Sequence, residues 1–320
     1  MDKLLTYSTS PHIKSARTTK SIMIKVCIAL LPACIMGVVY FGLKALLILA
    51  LSTFSAIASE YVFLLIQKKS LKEITNQFDF TSVITGLLVG MTIGTNYPWY
   101  APIFGSIFAI VVVKMLFGGT GCNIVNPAIV GRIFIFISFQ TVVTEWLIPM
   151  STTPVAGATT LVNYFENGVF TSEWWELLTG YNLAGCIGET CKLALIAGAI
   201  YLAFAKVINI VYPLIYIAVT GLMSVALGGF DFAVFLPSIL SGGLILGAFF
   251  MATDYTTTPN TILGNVIYFI MLGVITAVLR FATKMETVSF AILLMNLVVP
   301  LIDKFILNRP FGYRRVKEAK

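Results

Sequence analysis

The run "IMIKVCIALLPACIMGVVYF", residues 22–41, decides what kind of protein this is. It carries one charge, Lys25, near its start, and is otherwise apolar or small. As a helix it would rise about 30 Å, the thickness of the hydrocarbon core of a bilayer. A basic, polar segment precedes it, which is the layout of a secretory leader. No small-residue cleavage site follows, however, and the next apolar run begins at once. It reads as a retained transmembrane helix.

Nine further runs of similar character follow, at 43–66, 80–96, 98–117, 124–143, 191–208, 210–229, 233–252, 262–281 and 286–307. Of 320 residues, 58% are hydrophobic and 11% charged, and the mean hydropathy is +0.94. A soluble domain could not hide that much apolar surface. The runs are continuous rather than alternating, which argues against a β-barrel. The expectation is an all-α polytopic membrane protein of about ten transmembrane helices.

The net charge of +7 implies topology rather than a nucleic-acid partner. With ten spans and a cytoplasmic N-terminus, sixteen Lys and Arg fall inside and four outside (Lys44, Lys192, Arg280, Lys284), with Arg132 inside the fifth run. That bias follows the positive-inside rule and puts both termini in the cytoplasm of a cell bounded by this membrane. The longest hydrophilic stretch, 144–189, then faces outward. It has no Lys or Arg but has Glu145, Glu166, Glu173, Glu176 and Glu189.

The chain divides into a cytoplasmic arm (1–21), a first five-helix half (22–143), the external segment (144–189), a second five-helix half (190–307) and a basic cytoplasmic tail (308–320). An odd number of spans per half forces the halves into opposite orientations, the layout of an inverted repeat. A faint internal echo, "SVITGLLVG" (82–90) against "SILSGGLIL" (238–246), fits that 5+5 arrangement. The runs containing these segments end in helix-loosening residues, "GTNYP" (94–98) and "ATDYTTTPN" (252–260). Interrupted helices leave backbone groups near the membrane face that protein, water or a ligand must satisfy.

Few residues are available for chemistry. Five cysteines are scattered with no CxxC spacing, so this chain alone is not expected to build an iron–sulfur or zinc site. Cys186 and Cys191 are close enough in sequence to pair in an oxidising compartment, or they are simply free. His12 is the only histidine and lies in the arm. "FGGTGCN" (117–123) lacks the Lys and Ser/Thr of a phosphate loop and reads as close helix approach through small residues. Charges at membrane depth are expensive and usually paired or functional. Arg132 is either a structural ion pair or a partner of an electron-rich cofactor. Asp254, with Thr256, Thr257 and Thr258, is either an N-cap or surface-loop residue or an ion or cofactor contact, and Glu60 is a candidate for proton or sodium handling. "AGATT" (156–160), within "STTPVAGATTLVNYF" (151–165), reads on chemistry alone as an external turn offering two hydroxyls, Thr159 and Thr160.

Five longer motifs carry a resemblance: "SPHIKSARTTKSIM" (10–23), "VVVKMLFGGTGCNIVNPAIVGRIF" (111–134), "GCIGET" (185–190), "GGLILGAFFMATD" (242–254) and "FAILLMNLVVPLID" (290–303). Over nearly its whole length the chain resembles the D subunits of Rnf-type ion-translocating ferredoxin:NAD oxidoreductases. It is also similar to the B subunits of sodium-pumping NADH:quinone reductases. The resemblance implies FMN joined through its phosphate to a threonine of a Ser/Thr-Gly-Ala-Thr motif by a flavin transferase. Here that motif is Ala156-Gly157-Ala158-Thr159, so Thr159 is the implied attachment residue and Thr160 the fallback. Ala156 replaces the usual Ser/Thr, and Thr153 stands where an acidic residue is common. The resemblance leaves room for a second, non-covalent flavin (riboflavin), and Asn126, Arg132 and Asp254 are candidate flavin contacts. Its implied partners are iron–sulfur and flavin subunits of the complex, with sodium or protons moved across a bacterial cytoplasmic membrane. A flavin-free channel or permease, and a quinone-reducing subunit, are the competing readings.

Overall fold

The computed structural model describes residues 18–139, 145–149, 154–156, 160–167, 173–181 and 183–307. The expected apolar runs appear as helices, in order. Helix α1 (Thr19–Phe41) begins on Thr18, whose hydroxyl accepts from the Ser21 N–H at 3.2 Å. Gly42, with φ +69°, turns the chain directly into α2 (Leu43–Ile66). A short polar helix α3 (Leu71–Gln77) starts with a Ser70/Glu73 capping box. Next come α4 (Thr81–Met91), α5 (Ala101–Phe108) continuing as a π-helical stretch Ala109–Met115, and α6 (Pro127–Ser138).

A two-stranded antiparallel ribbon, β1 (Glu145–Leu147) with β2 (Pro154–Ala156), interrupts the helices; the pattern of apolar runs gives no sign of it. It is followed by α7 (Thr160–Asn167) and α8 (Trp174–Thr179). The second half comprises α9 (Lys192–Phe204), α10 (Val211–Leu227), α11 (Phe235–Leu240), α12 (Leu244–Leu246) running into a π-helical stretch Gly247–Met251, α13 (Ile262–Thr283) and α14 (Val288–Phe305).

Among the described residues, α1, α2, α13 and α14 are each long and apolar enough to cross a bilayer unaided. The segment 232–251 could make a fifth crossing, bent by 67° at Ser241–Gly243. Five more apolar helices are shorter: α4, α5 with its π stretch, α6, α9 and α10. They fall short because Gly, Pro and polar residues at their ends break them early, as at Gly94–Pro98. The protein is a multi-pass membrane protein with an extensively lipid-compatible exterior, for example Leu43, Phe54, Phe204 and Phe305.

Packing partners follow a pattern. α1 lies along α9, α6 along α14, α2 against α4 and α5, and α10 against α13. Small residues set the closest approaches: a Cβ on Gly198 of α9 would collide with the Ala29 carbonyl of α1, and one on Gly86 of α4 would meet the Thr53 backbone of α2. Van der Waals contact and polar pairs, rather than a hydrophobic drive, hold such helices together in lipid.

Two candidate cofactor cavities and a charge cluster

Two cavities lie at opposite ends of α1. The proximal cavity, about 850 Å³, is walled by the first turns of α1 (Ile22, Met23) together with Asn126, Phe249, Phe250 and Asp254. The distal cavity, about 990 Å³, is lined by Tyr97, Arg132, Thr160, Glu189, Lys192 and Glu286. Tyr40, near the end of α1, donates to the Thr179 carbonyl at 2.8 Å, close to the distal cavity's Leu177.

The distal cavity is built where four interrupted segments meet. The loop before α9 folds back so that Ile187 N–H donates to the Ile93 carbonyl (3.2 Å) and Gly188 N–H to the Met91 carbonyl (2.7 Å). These bonds satisfy the broken end of α4. Glu189 from the same loop faces Arg132 of α6 at 3.1 Å and packs on Gly243, at the bend of the eighth run. Lys192 donates to the Glu189 carbonyl. From the next turn, Glu286 receives two bonds from Arg280, at 2.9 and 3.0 Å, and Arg280 also donates to the Ser238 and Ser241 carbonyls. Thr160 Oγ1 stands 3.5 Å from Ser241 Oγ. Outside the membrane helices, burial raises the Tyr97 phenol, and burial with the neighbouring Glu189 carboxylate raises the Cys186 thiol well above its ordinary range.

By sequence Arg132 is the one basic residue deep in a run; the structure adds Lys114, Lys192 and Arg280, all buried. Their signal is present in the chain, since each lies within or at the edge of an apolar run, but charge counting alone places them in loops. Gly157, Ala158 and Thr159 lie outside the described residues, as does Thr153; Thr160 is the described residue next to the implied attachment site. Cys186 and Cys191 are free, as are Cys27, Cys34 and Cys122. Among the described residues no cluster of His, Cys, Asp and Glu could hold a metal ion.

The proximal cavity brings Asn126 and Asp254 together but leaves Arg132 to the other one. Asn126 is occupied structurally: its Oδ1 caps α6 by accepting from Ala128 N–H (3.0 Å), and its amide donates to the Met251 carbonyl (3.0 Å) at the end of the π stretch. The Asn296 side chain bridges the Asn126 backbone N–H and the Tyr268 hydroxyl. Asp254 accepts from Thr256 at 2.9 Å, and Thr256 in turn accepts from Asn123. Burial raises the Asp254 carboxyl against the lowering effect of these hydrogen bonds.

Glu60 is not isolated. Lys114, in the π stretch after α5, donates to Glu60 Oε1 at 2.7 Å and to Thr81 Oγ1 at 2.6 Å. Thr81 and Thr120 both donate to Asp79 at 2.6 Å. Glu60 Oε2 is buried without a hydrogen-bond partner. π-helical turns recur at functional sites because they redirect a side chain and free a carbonyl; this one aims Lys114 inward.

With the geometry in place, comparison with known proteins is decisive. Residues 6–312 match the profile of the NQR2, RnfD, RnfE family. The chain belongs to that family. It is 40% identical, over 99% of its length and 98% of the relative's, to the D subunit of the Na(+)-translocating ferredoxin:NAD(+) oxidoreductase complex of Acetobacterium woodii. It is 36% identical, over 98% of its length and 97% of the relative's, to the D subunit of the proton-translocating ferredoxin:NAD(+) oxidoreductase complex of Clostridium ljungdahlii. The D subunit of an ion-translocating oxidoreductase complex from Yersinia enterocolitica is 30% identical over 96% of this chain and 98% of its own. The family read from the five motifs is therefore borne out.

Proposed function

We propose that this chain is the D subunit of an Rnf-type complex: a membrane electron relay with FMN on Thr159, in a pump coupling ferredoxin/NAD electron transfer to sodium or proton movement. The observation that carries the reading is the distal cavity beside Thr160. The residue after the implied attachment threonine lines a cavity whose wall also holds Arg132, Lys192 and the Tyr97 phenol. Two buried cations and a phenol suit an electron-rich, hydrogen-bonding ring with an anionic tether. When bound, FMN would supply reversible one- and two-electron transfer. This chain's residues would hold its ring away from water, position hydrogen-bond donors around it and keep it from dissociating.

The proximal cavity, with Asn126 and Asp254, is our candidate site for a second, non-covalent flavin. Glu60, with one oxygen held by Lys114 and the other unpartnered, is the candidate ion-handling carboxylate. On this reading both termini face the cytoplasm of a bacterium and Thr159 faces out. Iron–sulfur and flavin subunits exchange electrons with the chain, and a flavin transferase modifies it.

The test is direct. Chain produced with its flavin transferase should give a gel band that fluoresces under ultraviolet light after denaturation, and mass spectrometry should place FMN on Thr159. Thr159→Val should abolish the fluorescence while the protein still inserts. An unmodified peptide 151–189 in protein from the native host would overturn the assignment and favour a flavin-free permease.

A further inference from the structure

Lys114 serves two places at once. Its ammonium donates to Glu60 Oε1 at 2.7 Å and to Thr81 Oγ1 at 2.6 Å, and its side chain is also part of the wall of the proximal cavity. Glu60 lies outside that wall, so Lys114 stands between the carboxylate and the cavity. An ammonium has three N–H groups, and two of them have partners among the described residues. The third remains for an occupant of the cavity. Lys114 and Asp254 are the charged side chains of that wall, and among the described residues no ion pair joins them. On the other side, Glu60 Oε2 is buried without a hydrogen-bond partner, and so is the Oγ of Ser82, the residue after Thr81. A buried acceptor with no donor is costly, and a proton or small cation on Glu60 relieves it. Of the elements packed on α2, the π stretch brings Lys114, while α4 and α5 carry no ionisable side chain. Lys72 and Glu73 of α3 are exposed, and Lys20 of α1 lies over the Phe80 ring. Asp79 joins Lys114 only through Thr81.

We propose that Lys114 couples two sites: an anionic group held in the proximal cavity and a proton or sodium ion on Glu60 each favour the other's binding. An anion drawn onto the remaining N–H takes up part of the ammonium's charge. Lys114 then compensates Glu60 less, and the carboxylate binds a cation instead; the linkage is reciprocal. The proposal rests on the reading of Glu60 as the ion-handling carboxylate. It is tested on the full chain in lipid nanodiscs, open to reagent on both faces, with Thr85→Cys in a Cys122→Ser background. Thr85 is in the cavity wall one turn from Thr81. Modification of position 85 by an anionic and by a cationic methanethiosulfonate is followed by mass spectrometry. Glu60→Gln strips the ammonium of its counter-charge, so it should raise the anionic-to-cationic rate ratio at least about fivefold. Glu60→Gln/Lys114→Met should return the ratio to the parent value or below. An unchanged ratio in Glu60→Gln, or no reaction at position 85, overturns the proposal by showing that Lys114 does not act on the cavity. The second measurement reads the coupling. With the anionic adduct fixed in the cavity, Glu60 should show a protonated-carboxyl infrared band in sodium-free buffer, or the melting temperature should rise with added sodium. Neither response should occur with the cationic adduct or in Glu60→Gln. If the anionic adduct gives neither response, or both adducts give the same one, coupling is overturned. Neither readout needs a flavin, so loss of the Thr159 assignment leaves the test standing. Ion transport that survives Glu60→Gln in the intact complex would instead remove the reading of Glu60 itself.

Discussion

Single charges do most of the specifying inside this bundle. Lys114 is only 3% exposed and is held by Glu60 and Thr81. Breaking a buried pair by removing one partner strands the other charge, which costs about 3–5 kcal/mol, whereas replacing both can be nearly neutral. Glu60→Ala should therefore lower thermal stability in detergent markedly, and Glu60→Ala/Lys114→Met should recover most of the loss. Glu60→Gln keeps the volume and an acceptor for Lys114 but not its counter-charge, so it should destabilise less than Glu60→Ala while impairing ion translocation in reconstituted vesicles. The thiols differ just as sharply. The thiolate is the reactive form, and Cys186 is buried with its acidity suppressed by burial and by Glu189. Iodoacetamide at pH 7–8 should leave Cys186 untouched in folded protein and modify it on denaturation. Exposed Cys122 should react in both conditions.

At the level of elements, interruptions matter more than the helices they interrupt. The bend at Ser241–Gly243 gives Gly242 a φ of +63°, and a Cβ there would overlap the Glu286 carboxylate. Gly242→Ala combines backbone strain with displacement of Glu286 from Arg280. A loss of about 2 kcal/mol or more is expected from such a special-φ position, read as a lower melting temperature and poorer complex assembly. The sequence made much of this legible. Each of the ten apolar runs contains helix, four of them a single helix long enough to cross a bilayer, and both helix-loosening stretches, 94–98 and 252–260, end broken runs. What stayed hidden was length and register. The chain order of polar and apolar residues cannot say that α4 stops at Met91 because the 186–188 loop supplies its missing N–H donors, nor that Lys114 points inward, since a π turn rotates the side chain by a step no periodicity announces. The partner of Arg132 is likewise invisible in sequence: Glu189 lies 57 positions away in a loop that looks merely solvated. Asn126, which lines the proximal cavity, also has structural work that the sequence does not announce: its side chain caps α6 and holds Met251.

On the scale of the whole molecule, α1 packs along α9 and α6 along α14, contacts compatible with the expected inverted repeat, in which these helices would be counterparts. Such a repeat would put the two cavities at opposite membrane faces, which labelling can check. Cys122 belongs to the loop beside the proximal cavity. A membrane-impermeant maleimide should modify it in inverted vesicles and not in right-side-out cells; the reverse result would turn the topology over. The same central seam limits how the protein can work. Gly198 rides directly on the Ala29 carbonyl, and Gly37 on Ile187. Backbones touching at that spacing leave no clearance for one half to tilt past the other. If the proposed flavins fill the two cavities, a seam packed this closely would hold them at a nearly constant separation.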